Sequence, residues 1–432
     1  MQTVSPGMKG DMYMAARFIQ VHTLTSYPAS LLNRDDAGFA KRMPFGGAVR
    51  TRVSSQCLKR HWRVYEGEWG FGTLDVGESV RSREVFSRLV LPKVQAAVVD
   101  EVRARWSVAA MVALLQVGTA SGKKASDKRQ AVAAKFVGQD GREQARPAKR
   151  RRAPEDEEES ESTPGSDALR QIVVLGPNEV DYLASEAIAL AGDSENSNED
   201  LIEVARQRAS REQQKNLDAL KKSVTKGAGL SAALFGRMRT GDLFADVDAA
   251  IHVAHAMTVH AQMAESDYFT AIDDLIHDEG EQASGHINSS ELTCGVFYGY
   301  VVVDVNGLVA NLGEDRSLAG DIVQRLVHIL STVTPGAKKG STAPYAYSHL
   351  VLIESGSAQP RTLQNAFLDP VSTKGNVIEH AYDALQLHLS DLDEMYGKRE
   401  SRAHAGLRTN GRFENRKPID ELAAWASSQV IG

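Results

Sequence analysis

The densest concentration of chemically capable side chains is Phe45-Gly46-Gly47-Ala48-Val49-Arg50-Thr51-Arg52-Val53-Ser54-Ser55-Gln56-Cys57-Leu58-Lys59-Arg60. Two glycines permit a tight turn, Arg50 and Arg52 alternate onto one side of a short strand, and Ser54 or Ser55 can cap a following helix. Within that helix Gln56, Lys59, Arg60 and Arg63 recur at i, i+3, i+4 and i+7, while Leu58, Trp62 and Tyr65 occupy the opposing face. A cationic face beginning at a capped helix N-terminus suits phosphate, because free backbone amides and the helix dipole favour anions. The alternative is an ordinary amphipathic surface helix. The wider context favours the polyanion reading, since Ala37 to Tyr65 carries Lys41, Arg42, Arg50, Arg52, Lys59, Arg60 and Arg63 and no acid over 29 residues.

Other groups point less clearly to chemistry. Arg208, Arg211 and Lys215 form a second basic face at i, i+3 and i+7, but Glu203 and Glu212 lie close by and a solvated, salt-bridged face accounts for them better. His252, His255 and His260 are close in sequence, yet a strand would send His252 and His255 to opposite faces, and no carboxylate or cysteine joins them at metal-ligand spacing. Neither a metal nor another cofactor is expected. Asp35 and Asp36 follow Asn33-Arg34 and could position water or a metal for phosphodiester cleavage, or equally cap a helix or pair with Arg34. Gly336-Ala337-Lys338-Lys339-Gly340 follows a helix instead of lying between strand and helix, so it is not a nucleotide-hydrolysing P-loop. No spacing identifies a hydrolase triad.

The elements that must position these residues are an α+β set. Arg17 to Leu24 has strand character and opens the fold, after an untethered extension over residues 1–14. Glu84 to Val117 and Asp181 to Val224 have helical composition and three- to four-residue apolar spacing. Between them, Ala120 to Asp167 reads as a mobile charged insertion, with a basic cluster at Lys149 to Arg152 and six acids from Glu155 to Glu161. Those neighbouring acids neutralise the basic cluster within a Debye length of about 8 to 10 Å, so it reads as solvated linker more than nucleic-acid tether. Leu230 to Phe235 and Ala250 to Val259 suit strands, and the polar, acidic stretch Ala261 to Ser290 reads as a projecting excursion. Gly295 to Val305, Leu318 to Val333 and Leu350 to Glu354 form a strand, helix, strand unit. Together these predict a ferredoxin-like (RRM-like) sheet interrupted by a large helical insertion.

The chain's 432 residues suffice for two or three domains, or one core with large insertions, and its 42% hydrophobic and 25% charged content excludes wholesale disorder. Net charge is −6, but removing the six acids of the acidic run leaves 50 acids against 50 bases. Two cysteines cannot build a disulfide framework, and no apolar stretch approaches the roughly 18 residues of a membrane span, so a cytoplasmic protein without a membrane partner is expected.

Leu32-Asn33-Arg34-Asp35-Asp36, Phe45-Gly46-Gly47, Arg52-Val53-Ser54-Ser55-Gln56 and Leu58-Lys59-Arg60 together resemble the CasC backbone subunits of type I-E CRISPR Cascade complexes. Further blocks recur in the same order: Gly236-Arg237-Met238, Ile251 to His260, Phe269-Thr270-Ala271, Asp273-Asp274-Leu275, Gly295-Val296-Phe297-Tyr298 and Pro335-Gly336-Ala337-Lys338. The resemblance covers most of residues 17–370. It implies a hand-like RAMP-superfamily fold: a palm over 15–66, 230–259 and 291–432, helical fingers over 67–229 enclosing the insertion 120–167, and a thumb over 260–290. It also implies a non-enzymatic subunit that polymerises with copies of itself along a CRISPR RNA, kinks it and presents it to target DNA in antiviral defence. Such a subunit works beside other Cascade subunits and an effector nuclease-helicase. The residues implied to hold guide phosphates are Arg34, Ser54, Gln56, Lys59, Arg60, Arg63 and Lys338, with Arg50 and Arg52 from the strand beside them.

Met238 and Phe269 match positions that pack against bases next to a kink, although both residue types also suit a core. Arg208, Arg211 and Lys215 lie about where family members present lysines to target DNA. The extension before Tyr13 and the charged insertion have no counterpart, which bears on the size and reach of the fingers, and Cys294 stands where a small polar residue is common. The competing function is a RAMP-superfamily endoribonuclease using Asp35 or Asp36.

Overall fold

The computed structural model describes residues 16–138, 172–193, 195–211, 229–237, 246–272 and 284–432. In chain order its strands are β1 (Phe18–Ser30), β2 (Arg42–Phe45), β3 (Ala48–Val53), β4 (Val80–Ser82), β5 (Val173–Leu175), β6 (Ile251–Val253), β7 (Ala256–Thr258), β8 (Ala264–Ile272), β9 (Ser284–Asp304), β10 (Ser348–Gly356) and β11 (Ser401–Gly406). The helices used below are α1 (Ser55–Arg63), α2 (Leu91–Ala97), α3 (Glu101–Val117), α4 (Lys123–Val137), α5 (Pro177–Ala191), α6 (Leu201–Arg211), α7 (Leu230–Phe235), α8 (Val305–Asn311), α9 (Arg316–Thr332), α10 (Val377–Tyr396) and α11 (Ile419–Ile431).

The main sheet runs β11-β10-β1-β9-β7-β3-β2, with β6 and β8 also paired to β9, and the recorded pairings are antiparallel. Strand β1 lies between β9 and β10, and most of its residues on both faces are buried. Ile19 and Val21 enter a core shared with Leu58 and Trp62 of α1, Ile322 and Leu326 of α9 and Leu422 of α11. Leu24 enters a second core on the other face with Tyr382 and Leu385 of α10. That face also buries a polar lock in which Glu354 of β10 is reached by Arg402 of β11 at 2.6 Å, Arg361 at 2.7 Å and His22 of β1 at 3.2 Å. Burial pushes the Glu354 carboxyl upward, but hydrogen bonds and charge from His22 and Arg361 outweigh it and hold the group well below the ordinary carboxylate range.

A separate core holds the helical lobe together. Val108, Met111 and Leu115 of α3 pack with Leu183 and Ala187 of α5, Phe136 of α4 and Val173 and Leu175 of β5. The α+β class and the interruption of the sheet by a helical insertion therefore hold. Two local expectations do not. Leu230–Phe235 is a helix, not a strand: it lies between Gly229 and Gly236, both at positive φ, and Leu230 to Leu234 are all buried, so no solvent-facing period separates helix from strand. The region from Ala120 onward also begins with an ordered helix, α4, packed on α3. Its Arg129 is buried and donates to the Gly118 and Ala120 carbonyls at 3.0 and 2.9 Å, closing the α3–α4 turn that composition alone presented as linker. Residues 139–171, including the basic cluster and the acidic run, lie outside the described residues, as do residues 1–15. The excursion at 261–290 is carried by β8 and β9 as an antiparallel pair, with Ala264 opposite Thr293 and Ala271 opposite His286.

Candidate nucleic-acid interface

The turn between β2 and β3 places Gly46 and Gly47 at φ of 57° and 75°, the paired positive values a two-residue hairpin turn requires. Gly46 has a second reason to be glycine, because a Cβ there would overlap the Leu368 carbonyl. Beneath this turn Arg50 is completely buried, and its guanidinium donates to the carbonyls of Phe45 (3.2 Å), Thr258 (3.2 Å), Phe367 (2.8 Å) and Leu368 (3.4 Å). Arg50 is thus an internal strut that ties the hairpin to β7 and the 367–368 loop, which corrects its assignment to the RNA-facing set. The alternation that suggested a shared face with Arg52 is real, but that face is the covered side of the hairpin at Arg50. Arg52 is half-buried and bonds His255 Nδ1 of the adjoining segment at 3.1 Å.

Ser54 is the N-cap of α1. Its Oγ accepts the Cys57 N–H at 3.3 Å, and its own backbone N–H donates to Asn33 Oδ1 at 2.9 Å. At 5% exposure the hydroxyl is committed to the cap, so Ser54 sets the start of the helix instead of offering a side chain to a ligand. From that start the helical period delivers what the sequence predicted. Leu58 and Trp62 are buried in the palm core with Tyr65 packed beside them, and Gln56, Lys59, Arg60 and Arg63 are turned away from it.

Those four residues converge on a cleft of about 490 Å³ between the palm and the helical lobe. It is lined from the helical lobe by Arg81 of β4 and Val174 of β5, from the palm side by Ser231 and Phe235 of α7, whose neighbours Leu230, Ala233 and Leu234 are buried in the palm core, and also by Ala337, the residue before Lys338. The Lys59 ammonium lies over the Phe235 ring at 5.6 Å. Burial lowers the Lys59 pKa; for Arg63 burial comes first, with the Arg81 and Arg60 charges adding to it against a smaller opposing pull from Glu78. The Glu78 carboxyl is itself raised by burial and accepts a hydrogen bond from Ser231 Oγ at 3.2 Å. The cleft is therefore a partly desolvated groove lined by several cations, a chemistry suited to phosphate groups.

Arg34 lies just beyond Leu32 and Asn33 of the cleft lining, in a short loop where it bridges to Ala40. The neighbouring Asp35 is used by that loop: its Oδ1 accepts the Phe39 N–H at 2.9 Å and its N–H donates to the Phe39 carbonyl at 2.7 Å, while Asp36 is exposed. Arg208 pairs with Asp193 at 3.4 Å, as a salt-bridged face would. Arg211 ends α6 with its side chain outside the described residues, and Lys215 and Met238 lie outside them altogether. Phe269 is placed on β8 in register with Asn288, its side chain likewise outside them. The three histidines do not converge, since His252 bonds the Ala249 carbonyl, His255 bonds Arg52, and His260 bonds the Ala261 carbonyl. Arg81 escaped the sequence reading; the only sign of it was the alternation Arg81-Ser82-Arg83, too short to stand out.

An α+β palm carrying a capped cationic helix over an interlobe groove defines the class of protein. The chain belongs to the family of CT1975-like proteins, whose model matches residues 19–425. It is similar to a chain of a CRISPR RNA-guided surveillance complex in its pre-nicking state, at 26% identity and a TM-score of 0.67 over 95% of this chain and all of that one. A chain of a second CRISPR RNA-guided surveillance complex shares the fold at 21% identity and a TM-score of 0.51, over 95% of this chain and 99% of that one. No curated protein matches. Among the described residues no helix is long and apolar enough to cross a membrane.

Proposed function

We propose that this chain is a CRISPR RNA-binding subunit of a Cascade-type surveillance complex, holding the guide by its phosphates in the cleft beside α1. The observation that carries this reading is the convergence of Gln56, Lys59, Arg60 and Arg63 on one groove, where the pull of Glu78 on Arg63 is smaller than the push of Arg81 and Arg60. The near-complete overlap with a chain of an RNA-guided complex supports it. In its finer form the proposal is a backbone subunit like CasC of type I-E systems: copies assemble side by side along one guide, kink it and leave its bases open for pairing with target DNA. The β8–β9 hairpin serves as the thumb that reaches the neighbouring copy.

The subunit acts without catalysis of its own in this proposal. The Asp35 carboxylate has a structural task in this reading, since one of its oxygens accepts the Phe39 N–H and closes the loop. The test is to purify the protein with its operon partners and size the nucleic acid it carries, in wild type and in Asp35→Asn and Asp36→Asn forms. A bound RNA of one defined length, unchanged by either substitution, is expected. Absence of RNA overturns the guide-binding proposal, and metal-dependent cleavage abolished by either change overturns the non-enzymatic one.

A further inference from the structure

Arg63 and Arg81 face the same cleft but are built by different cores. Arg63 sits on the last turn of α1, which Trp62 and Leu58 fasten into the palm. Arg81 sits at the middle of β4, opposite Val174 of β5, and the flanking Val173 and Leu175 are buried in the helical-lobe core. That wall is stiffened from behind: Arg237 donates to the Val174 carbonyl at 3.1 Å and to Glu179 Oε2 at 2.6 Å, an ion pair almost wholly removed from solvent. The backbone that carries Arg81 is thus fixed by the β4–β5 pairing, while its exposed side chain lines the cleft.

Across the cleft the two guanidiniums repel each other. Among the described residues neither has a carboxylate at ion-pair distance, and Glu78 is partly occupied by Ser231. A protein that needed this interface only to hold its lobes together would be better served by opposite charges there. A ligand bearing a row of negative charges turns the repulsion into a bridge, since each phosphate can accept from both sides.

We propose that Arg81 is a phosphate-binding residue on the helical lobe that grips the backbone of single-stranded RNA from the side opposite Arg63, so that the RNA ties the two lobes together. The inference rests on the RNA-binding reading above and extends it to the far wall of the cleft. It predicts that the lobes are more firmly joined with RNA than without it, and that the contact is indifferent to base sequence.

The test uses the full chain and a labelled single-stranded RNA of mixed sequence, with affinity measured by fluorescence anisotropy over a range of salt. Arg81→Ala should reduce the slope of log K against log salt by about 0.7, and weaken binding about fivefold at 0.1 M salt. Arg81→Lys should restore the slope. The melting temperature of the RNA-free Arg81→Ala protein should be unchanged or higher, because a like charge beside Arg63 is gone, while its rise on adding RNA should be smaller than in wild type. An unaltered slope in Arg81→Ala, with wild type binding RNA, overturns the clamp alone. A clear fall in the RNA-free melting temperature overturns it too, making Arg81 a structural residue. Failure of wild type to bind RNA removes the guide-binding reading and the clamp together.

Discussion

Replacing Lys59, Arg60 and Arg63 together by alanine separates the two faces of α1. All three line the cleft, whereas the helix is fixed by Leu58 at 9% and Trp62 at 4% exposure and by the Ser54 cap, none of which changes. If each cation holds one phosphate, the salt dependence of single-strand binding loses about 0.7 per contact, or about 2 in slope for the triple variant. Extrapolated from 1 M to 0.1 M salt, that is about a hundredfold in affinity, close to 3 kcal/mol.

The stability of the RNA-free protein should move far less, because two opposing effects are small. The Lys59 contact over Phe235 is lost, a contribution of about 1 kcal/mol for a half-buried pair. Against it, burial and the neighbouring Arg81 and Arg60 charges already disfavour the charged form of Arg63, and removing these cations relieves that penalty. The assay is anisotropy with a labelled RNA across a salt series, paired with thermal unfolding of the RNA-free protein. A triple variant whose slope equals that of wild type would take these residues off the phosphate track. A collapse in its melting temperature would show that the cationic face is part of the core.

Arg50→Ala should behave in the opposite way, lowering the melting temperature by an amount equivalent to roughly 3 kcal/mol while leaving the salt slope of the remaining folded protein unchanged, because it strips a donor from four carbonyls, those of Thr258 and Phe367 in buried contacts. Trp62→Ala should cost about 3 to 5 kcal/mol in denaturant unfolding. Acidification should also destabilise the protein. Burial lowers the pKa of His255, His260, His328, His349, His388 and His404, so the unfolded chain takes up protons first as pH falls below about 6.5, and stability is lost through the window beneath that value. His260 is the sharpest case, because its Nε2 accepts the Val296 N–H at 3.2 Å and cannot do so once protonated; His260→Gln should flatten a plot of melting temperature between pH 7.5 and 5, and an equally steep plot would refute the assignment.

The near wall of the cleft was legible in the sequence because it is local. A cap, a nine-residue helix and two opposed faces are all encoded within Ser54 to Arg63, and helical period alone sorts Lys59 and Arg63 from Leu58 and Trp62. The strand, helix, strand unit at β9, α9 and β10 was legible for the same reason, since Ile322, Leu326 and Ile329 repeat at helical spacing on a helix with one buried face. Arg50 was misread by the same local logic. Strand alternation gives the side of the sheet, but not that a loop more than 300 residues later would cover that side with the Phe367 and Leu368 carbonyls.

The far wall was illegible because nothing local defines it. Arg81 and Val174 belong to two short segments separated by a long stretch of chain, and they become one surface only when β4 pairs with β5. A charged residue on a three-residue strand carries no period. Binding a polymer between two walls needs this division. One wall can be written into a helix that folds with the palm, but its counterpart has to arrive from the insertion, where tertiary pairing decides which arginine meets the groove.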